Sequence, residues 1–273
     1  MIQNLNDFAP YTATPFTDLV PQNVNPSVLA TLLYRLCEPL QISDPHTELV
    51  LAFANCSPAV GRLLVTSVGA DEDFTLSEHI QRVSKTLEPL LSPVNPETRL
   101  LLRLWNLVHD GFKGACYLNT KHSRNQAEYN QRFVQDFLSP AIKRSSFVPQ
   151  PGLLDGLYLL CGQDIVGKAA QYYTRRHQKI DKARVFDPEE AQNALRSFAA
   201  VFPTPWRYQL AYILRAAFYA DLKAYTSHVT HVDASGREVK DTSLGMDKYL
   251  KGSTLVLADA EAQAAVDELL TLI

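Results

Sequence analysis

The sequence predicts a mainly α-helical protein, an irregular multi-helix bundle with one small β-hairpin near residues 227–240. Two observations predict the helices: apolar residues recur at three- and four-residue spacing, and several segments begin with a capping residue followed by proline. A third observation, alternation of residue types around the turn sequence Asp233-Ala-Ser-Gly236, predicts the hairpin. With 273 residues, of which 46% are hydrophobic, the chain is long and apolar enough to bury a sizeable core.

The first half of the chain is predicted to be an extended arm followed by helices. The arm, residues 1–24, is rich in Pro, Asn, Asp and Thr. Helices are predicted to begin at Asn25-Pro26, at the capping box Thr75-Leu-Ser-Glu78 and at Asn95-Pro96, the last of them running to about Asp110. Two short apolar helices are predicted within 47–70, the second beginning at Ser57-Pro58, and a further helix from Ser123 to Leu138. A strand over Leu49–Ala54 is the open alternative to the first short helix.

The second half follows a candidate domain boundary at Lys143–Gly152, where the sequence KRSSFVPQPG is rich in turn-forming residues. Helices are then predicted over 164–182, 187–201, 204–225 and 259–270. The predicted organisation is an N-terminal arm (1–24), an acidic-then-basic helical region (25–145) and a helical region with the hairpin (146–273). One continuous domain is the alternative.

Charge is distributed unevenly along the chain, whose net charge is −3. Residues 1–98 carry a net charge of −7, residues 99–184 carry +8, and residues 185–273 carry −4. A basic middle third between acidic flanks indicates what the protein binds and says little about how it folds. It predicts contact with an external polyanion, or with acidic parts of the same chain or of a neighbouring copy.

The densest group of cations lies in the helix predicted over 164–182. Lys168, Tyr172, Arg175, Lys179 and Lys182 recur at four- and three-residue spacing, which places them on one helix face. Such a stripe can follow a phosphate backbone while tyrosine stacks on a base. The predicted nucleic-acid-binding residues are Lys168, Tyr172, Arg175, Arg176, Lys179, Lys182, Arg184, Lys121, Arg124, Arg132, Lys143 and Arg144. A solvated basic face, or one covered by acidic residues of 1–98, is the alternative.

The run Gly162-Gln-Asp-Ile-Val-Gly167-Lys168-Ala169 has the glycine and lysine spacing of a phosphate-binding P-loop. Ala169, however, stands where that loop places a Ser or Thr hydroxyl for Mg²⁺. The rest of the chain also lacks the alternating strands and helices of a parallel sheet. A helix start, with Gly167 at a close-packing position, is the favoured interpretation.

Arg103 and His109 lie on the helix predicted to begin at Asn95. The run Arg103-Leu-Trp-Asn-Leu-Val-His109 resembles the R-x(4–6)-H motif of HEPN ribonucleases, although Leu104 replaces the usual polar residue after the arginine. This resemblance implies that the arginine stabilises the phosphate while the histidine activates the 2′-hydroxyl, usually across a dimer. The alternative is a surface arginine and a helix-end histidine, favoured there by the helix dipole.

No catalytic residue, metal or cofactor is predicted. In His228-x-x-His231-x-Asp233, the two histidines would point to opposite faces of a strand. The cysteines are far apart in apolar segments, which predicts buried free thiols in a reducing, cytoplasmic compartment; they are Cys37, Cys56, Cys116 and Cys161. Neither a secretory signal nor an apolar run of the roughly 20 residues that span a bilayer is recognised.

These observations predict a non-enzymatic helical assembly protein, comparable to a helical nucleoprotein. Its basic middle third would bind a polyanion, with RNA or another single-stranded nucleic acid as the expected ligand, and its copies would associate through the acidic flanks. Two alternatives stay open. One is a protein–protein adaptor, or subunit of a larger complex, that binds no nucleic acid. The other is a HEPN-like ribonuclease using Arg103 and His109.

Overall fold

The computed structural model describes residues 4–12, 24–40, 45–67, 74–120, 126–177, 187–225, 229–232, 235, 238–241, 250–251 and 254–273. Most of these residues are helical, which confirms the mainly α class. The chain forms two compact units, Met1–Gly162 and Gln163–Ile273. Within the described residues, no helix combines the length and the apolar character that crossing a membrane requires.

The described part of the first unit consists mainly of helices. Their bounds are α1 Pro26–Cys37, α2 Pro45–Ala54, α3 Pro58–Leu64, α4 Leu76–Leu90, α5 Pro96–Val108, α6 Lys113–Thr120, α7 Gln126–Arg132, α8 Ser139–Arg144 and α9 Leu153–Gly162. A π-helical segment, Phe133–Leu138, connects α7 directly to α8. Residues 49–54 are helical, so the strand alternative for them is wrong. The predicted helix start at Ser123 lies outside the described residues.

Side-chain caps begin several of these helices, as predicted. Asn25, Ser57 and Asn95 each accept a backbone N–H of the first turn, and proline follows each of them. In the capping box, the Thr75 hydroxyl accepts the Glu78 N–H at 3.3 Å, and the Glu78 carboxylate accepts the Thr75 N–H at 2.7 Å. These bonds satisfy N–H groups that a helix start leaves without an intrahelical partner. The four predicted starts are therefore confirmed.

The described part of the arm, residues 4–12, packs on the first unit beside α3. The Tyr11 N–H donates to the Thr66 hydroxyl at 3.0 Å, and the Arg62 guanidinium lies 4.0 Å from the centre of the Tyr11 ring. The Phe8 ring contacts Gly61 so closely that a Cβ there would collide with it. Residues 13–23 of the predicted arm lie outside the described residues.

Helix α5 is the central helix of the first unit. Every residue from Leu100 to Val108 is buried, and α5 contacts α1, α4 and α9. A helix enclosed by protein in this way leaves any polar side chain on it dependent on partners within the protein.

Arg103 is the charged residue in this buried stretch, and the predicted surface position for it is wrong. Only 3% of Arg103 is exposed. Its guanidinium donates to both carboxylate oxygens of Glu88, at 2.6 and 2.9 Å. It also donates to the carbonyls of Leu36 and Glu38, at 2.7 and 2.6 Å. One cation therefore joins α5 to α4 and satisfies carbonyls at the end of α1 that the helix itself leaves open.

The second unit contains helices and a pair of short strands. The bounds are α10 Ile165–His177, α11 Pro188–Val201, α12 Thr204–Arg207, α13 Leu210–Ala224, β1 Val229–Val232, β2 Glu238–Asp241 and α14 Ala260–Leu270. Helix α10 packs against α11, α13 and α14. The strands pair antiparallel with Val229 opposite Asp241, while most residues between them lie outside the described part of the chain.

The continuous helix predicted over 204–225 is wrong, because the chain forms two helices there. Helix α12 ends at Arg207, and Gln209 has φ −111° and ψ 8°, outside the helical region. The Arg207 guanidinium turns back to the carbonyl of Phe202, at 2.9 and 3.2 Å, and to that of Ala200, at 3.1 Å. Arg207 thus donates hydrogen bonds to carbonyls at the end of α11. Trp206, which is 1% exposed, packs in the core and holds the short helix there.

The four cysteines are free thiols, as predicted, with Cys56, Cys116 and Cys161 buried and Cys37 half-buried. Burial raises the pKa of the Cys56 thiol from 9.0 to about 12. Burial also raises the pKa of Cys161, with the negative charge of Asp110 acting in the same direction. Thiols of this kind stay protonated and are poor nucleophiles.

Glu88→Gln should lower the free energy of unfolding by about 3–5 kcal/mol, because Arg103 stays buried and charged without its counter-ion. Denaturant unfolding followed by circular dichroism measures the loss. The matched control is Glu48→Gln, which breaks the 3.0 Å pair with Arg35, whose side chains are 40% and 46% exposed. That change should cost at most about 1 kcal/mol. Equal losses for the two variants would contradict the role given to Arg103.

Unfolding should become easier as pH rises from 9.0 towards about 12, because the Cys56 thiol ionises in the unfolded chain but stays protonated in the folded one. One such thiol lowers the free energy of unfolding by up to about 1.4 kcal/mol for each pH unit in this range. Cys56→Ala should therefore flatten the dependence of stability on pH in this range, measured by denaturant unfolding at several pH values. Cys37→Ala, at a half-buried position, should flatten it less. An unchanged slope in Cys56→Ala would refute the effect.

Candidate functional site

The structure describes some of the predicted nucleic-acid-binding residues and leaves others outside its description. Those outside are Lys121, Arg124, Lys179, Lys182 and Arg184. Arg175 and Arg176 belong to α10, but their side chains are outside the described part. The remaining five are Lys168 and Tyr172 in the second unit, and Arg132, Lys143 and Arg144 in the first.

Helix α10 has a buried apolar side. Val166 and Ala169 are 2% and 5% exposed. Lys168 and Tyr172 are half-buried, and the Tyr172 ring meets the Tyr173 ring edge to face, with centroids 5.2 Å apart. The described part of the helix therefore establishes its apolar side, whereas the basic stripe beyond Tyr172 stays a prediction.

Asp164 occupies the start of α10. Its carboxylate accepts the Gly167 N–H at 2.8 Å, and a Cβ at position 167 would collide with that carboxylate. The apolar residues before Gly162 form helix α9 and not a strand. The helix-start interpretation is therefore confirmed. A carboxylate stands where a phosphate would bind, so this segment is not a P-loop.

Lys143 and Arg144 form an exposed basic pair at the end of α8. Among the described residues, no ion pair engages either side chain. Arg132, also exposed, differs from them because its guanidinium lies 3.5 Å from the Asp136 carboxylate. Of the predicted cations that the structure describes in the first unit, Lys143 and Arg144 are thus the two available to an external anion.

An exposed aromatic ring lies beside this basic pair. Tyr34 on α1 is 53% exposed, and its hydroxyl donates at 3.4 Å to the carbonyl of Ser146, two residues beyond Arg144. The buried Phe147 meets the Tyr34 ring edge to face, with centroids 5.0 Å apart. Val148, which is 85% exposed, follows directly. We call Tyr34, Lys143, Arg144 and Val148 the basic–aromatic patch.

Sequence reasoning missed Tyr34, although a signal for it was present. The apolar stripe of α1 is formed by Leu29, Leu32, Leu33 and Leu36, all buried. Tyr34 lies off that stripe, and a large aromatic side chain on the polar side of an amphipathic helix indicates a contact other than the core of that helix.

A second group of polar residues is buried where the start of α4 meets the end of α5. His79 is fully buried, and His109, Asp110 and Lys113 are 8%, 4% and 6% exposed. The His79 Nε2 atom lies 3.2 Å from His109 Nε2 and 3.4 Å from Asp110 Oδ2. Lys113 Nζ lies 3.2 Å from the same Asp110 oxygen. We call these four residues the histidine–aspartate cluster.

Hydrogen bonds and aromatic rings fix the His109 side of the cluster. His109 Nδ1 lies 3.2 and 3.1 Å from the carbonyls of Trp105 and Asn106. Since carbonyls only accept hydrogen bonds, Nδ1 carries the proton and, in the neutral ring, Nε2 presents its lone pair to the cluster. The Trp105 and His109 rings stack with centroids 4.3 Å apart. The Asn130 amide donates to the His109 carbonyl.

The Asp110 carboxylate is held from two sides. The Gln126 amide donates to Oδ1, and the Lys113 ammonium lies on Oδ2. On the far side of the cluster, the Phe74 ring stacks on His79 with centroids 5.6 Å apart. The cluster is therefore an ordered polar site between aromatic walls.

His79 was not identified from sequence, although its position on α4 is informative. It lies on the buried side of the helix together with Leu76, Ile80, Val83 and Leu87. A histidine on an apolar stripe requires a buried partner. That partner is 30 residues away in the chain, so the pattern alone could not identify it.

The chain matches no protein-family model, no curated protein and no solved structure.

Proposed function

We propose that the protein binds single-stranded nucleic acid without acting on it chemically, and that the basic–aromatic patch of the first unit is a contact surface. The observation that carries this proposal is an exposed pair of cations, Lys143 and Arg144, beside a half-exposed aromatic ring, Tyr34. Further cations of residues 99–184 add to the binding.

The chemistry of the patch suits a flexible, single-stranded polyanion. Lysine and arginine neutralise phosphates and release their counterions, which makes binding strong at low salt and weak at high salt. An exposed tyrosine stacks on any base, since every base presents an aromatic face. Phe147 and the Ser146 carbonyl hold the Tyr34 ring in place, so the ring loses little conformational entropy when a ligand binds.

Some of the cationic side chains of residues 99–184 are bound within the protein and do not face solvent. Arg103 and Lys113 are 3% and 6% exposed. Arg99 donates to the carbonyls of Cys37 and Val94 at 2.9 and 3.2 Å. The proposal therefore depends on the position of Lys143 and Arg144 more than on the net charge of the region.

A HEPN-like ribonuclease has less support. Both carboxylate oxygens of Glu88 and two backbone carbonyls occupy the Arg103 guanidinium, and His109 belongs to the histidine–aspartate cluster. An arginine that stabilises a phosphate has to reach it, and Arg103 is committed to the core. An adaptor without nucleic acid remains the alternative, and salt-dependent binding separates it from the proposal.

Lys143→Gln with Arg144→Gln should weaken binding of a single-stranded oligonucleotide and make it less sensitive to salt. The slope of log K against log salt is negative, and removing two phosphate contacts makes it less steep by about 1.4. Fluorescence anisotropy with labelled oligo-uridine at several salt concentrations measures both effects. Arg132→Gln is the matched control and should change the slope less, because Asp136 already engages that charge. Tyr34→Ala should cost about 1–3 kcal/mol with an unchanged slope, whereas Tyr34→Phe should keep most of the affinity.

Two results would contradict the proposal. One is no binding by the unaltered protein at low salt. The other is a double variant with the same salt slope as the unaltered protein.

We propose, in addition, that copies associate, the acidic flanks of one meeting the basic middle third of another. The charge distribution of −7, +8 and −4 along the chain supports head-to-tail contact. Light scattering should show a mass that rises with protein concentration at low salt and falls back at high salt, where charges are screened. A monomer at every concentration, with and without oligonucleotide, would remove this part of the proposal.

A further inference from the structure

We propose that His79, His109 and Asp110 bind a zinc ion, which fastens the start of α4 to the end of α5. These residues belong to the histidine–aspartate cluster and have no part in the proposed nucleic-acid contact. The proposal rests on the distances between their ligand atoms, on the hydrogen bonds that orient them and on their burial.

The separations of the ligand atoms fit a tetrahedral ion. Zinc binds imidazole nitrogen and carboxylate oxygen at about 2.0–2.1 Å, so two ligands of a tetrahedron lie about 3.3–3.4 Å apart. His79 Nε2 is 3.2 Å from His109 Nε2 and 3.4 Å from Asp110 Oδ2. The ligand atoms of His79, His109 and Asp110 lie within 4.8 Å of one another. Small side-chain adjustments would place all three around one ion.

The orientation of His109 is the one that a zinc ligand requires. A metal-binding histidine donates its other ring N–H to a carbonyl or carboxylate, which fixes the tautomer and turns the free nitrogen to the metal. His109 Nδ1 faces two carbonyls, those of Trp105 and Asn106, at 3.2 and 3.1 Å. Nε2 is therefore the nitrogen with the lone pair, and it points at His79.

The Asp110 carboxylate is oriented in a comparable way. The Gln126 amide holds Oδ1, which leaves Oδ2 directed at His79 Nε2. Lys113 Nζ lies on the same oxygen at 3.2 Å and would compete with a metal ion for it. Zinc binding therefore has to displace the Lys113 ammonium, and this competition gives the proposal a distinctive test.

The ligand set and its burial indicate the metal and its role. Two imidazoles and one carboxylate suit zinc, whereas Mg²⁺ and Ca²⁺ prefer oxygen ligands. His79 is fully buried and Asp110 is 4% exposed. An ion enclosed there would link two helices of one core, so its binding would stabilise the folded chain.

The test begins with the full chain, stripped of metal by a chelator and titrated with Zn²⁺ and with Co²⁺. We expect one tight equivalent of Zn²⁺, a rise in the melting temperature that Mg²⁺ does not reproduce, and the visible absorption of tetrahedral Co²⁺. No tight equivalent of Zn²⁺ would overturn the proposal.

Variants locate the site. Asp110→Asn keeps the shape of the side chain but removes a metal ligand. Its Zn²⁺ affinity should fall by more than the roughly 10–100-fold that is lost when a residue that only hydrogen-bonds to a ligand is changed. Lys113→Met should instead bind Zn²⁺ about tenfold more tightly, since it removes a competing charge. The matched control is His228→Ala with His231→Ala, which removes two other histidines of the chain and should leave the affinity unchanged.

If the four residues of the histidine–aspartate cluster only hydrogen-bond to one another and bind no metal, the results should differ. Lys113→Met would then bind Zn²⁺ no more tightly than the unaltered protein, which would overturn the proposal even if Asp110→Asn failed to fold. Loss of binding in the His228→Ala/His231→Ala control would overturn it as well.

Discussion

A positive charge on a helix with protein on every side has to be neutralised where it lies, and in α5 that charge belongs to Arg103. Glu88 neutralises it from α4, and the carbonyls of Leu36 and Glu38 accept its remaining hydrogen bonds from the end of α1. Because the guanidinium is planar and its donors are fixed, these three segments have little freedom to shift against one another. The first unit is organised around this one side chain.

Both candidate sites depend on that arrangement. Tyr34 lies in the last turns of α1, close to the carbonyls that Arg103 holds, so the position of its ring beside Ser146 follows from the position of α1. His79 lies on α4 and His109 at the end of α5, the two helices that the pair of Arg103 with Glu88 joins. The basic–aromatic patch at the surface and the histidine–aspartate cluster in the interior therefore share one structural support.

Local interactions account for what the sequence could predict. The helix starts at Asn25, Ser57, Asn95 and Asp187 depend on bonds that span two or three residues, and these are visible in the sequence. The buried free thiols follow from apolar neighbours. The break before Leu210 was missed because it depends on the Arg207 side chain turning back to α11, and not on a Gly or Pro at the break.

The candidate sites depend on contacts between distant residues, and these lie beyond local patterns. Tyr34 and Ser146 are 112 residues apart, Arg103 and Leu36 are 67 apart, and His79 and His109 are 30 apart. Counting charges identified Lys143 and Arg144 as candidates, but it treated Arg103 and Lys113 as equivalent cations. Only their burial and partners separate the charges that support the core from those that face solvent.

The central claim is that nucleic acid lies across the basic–aromatic patch of the first unit. Ultraviolet cross-linking of the protein to oligo-uridine, followed by mass spectrometry of the digested complex, tests that claim most directly. We expect covalent nucleotide adducts at Tyr34 and on the peptide that contains Lys143, Arg144 and Val148. Adducts confined to other parts of the chain, with none on these two peptides, would contradict it.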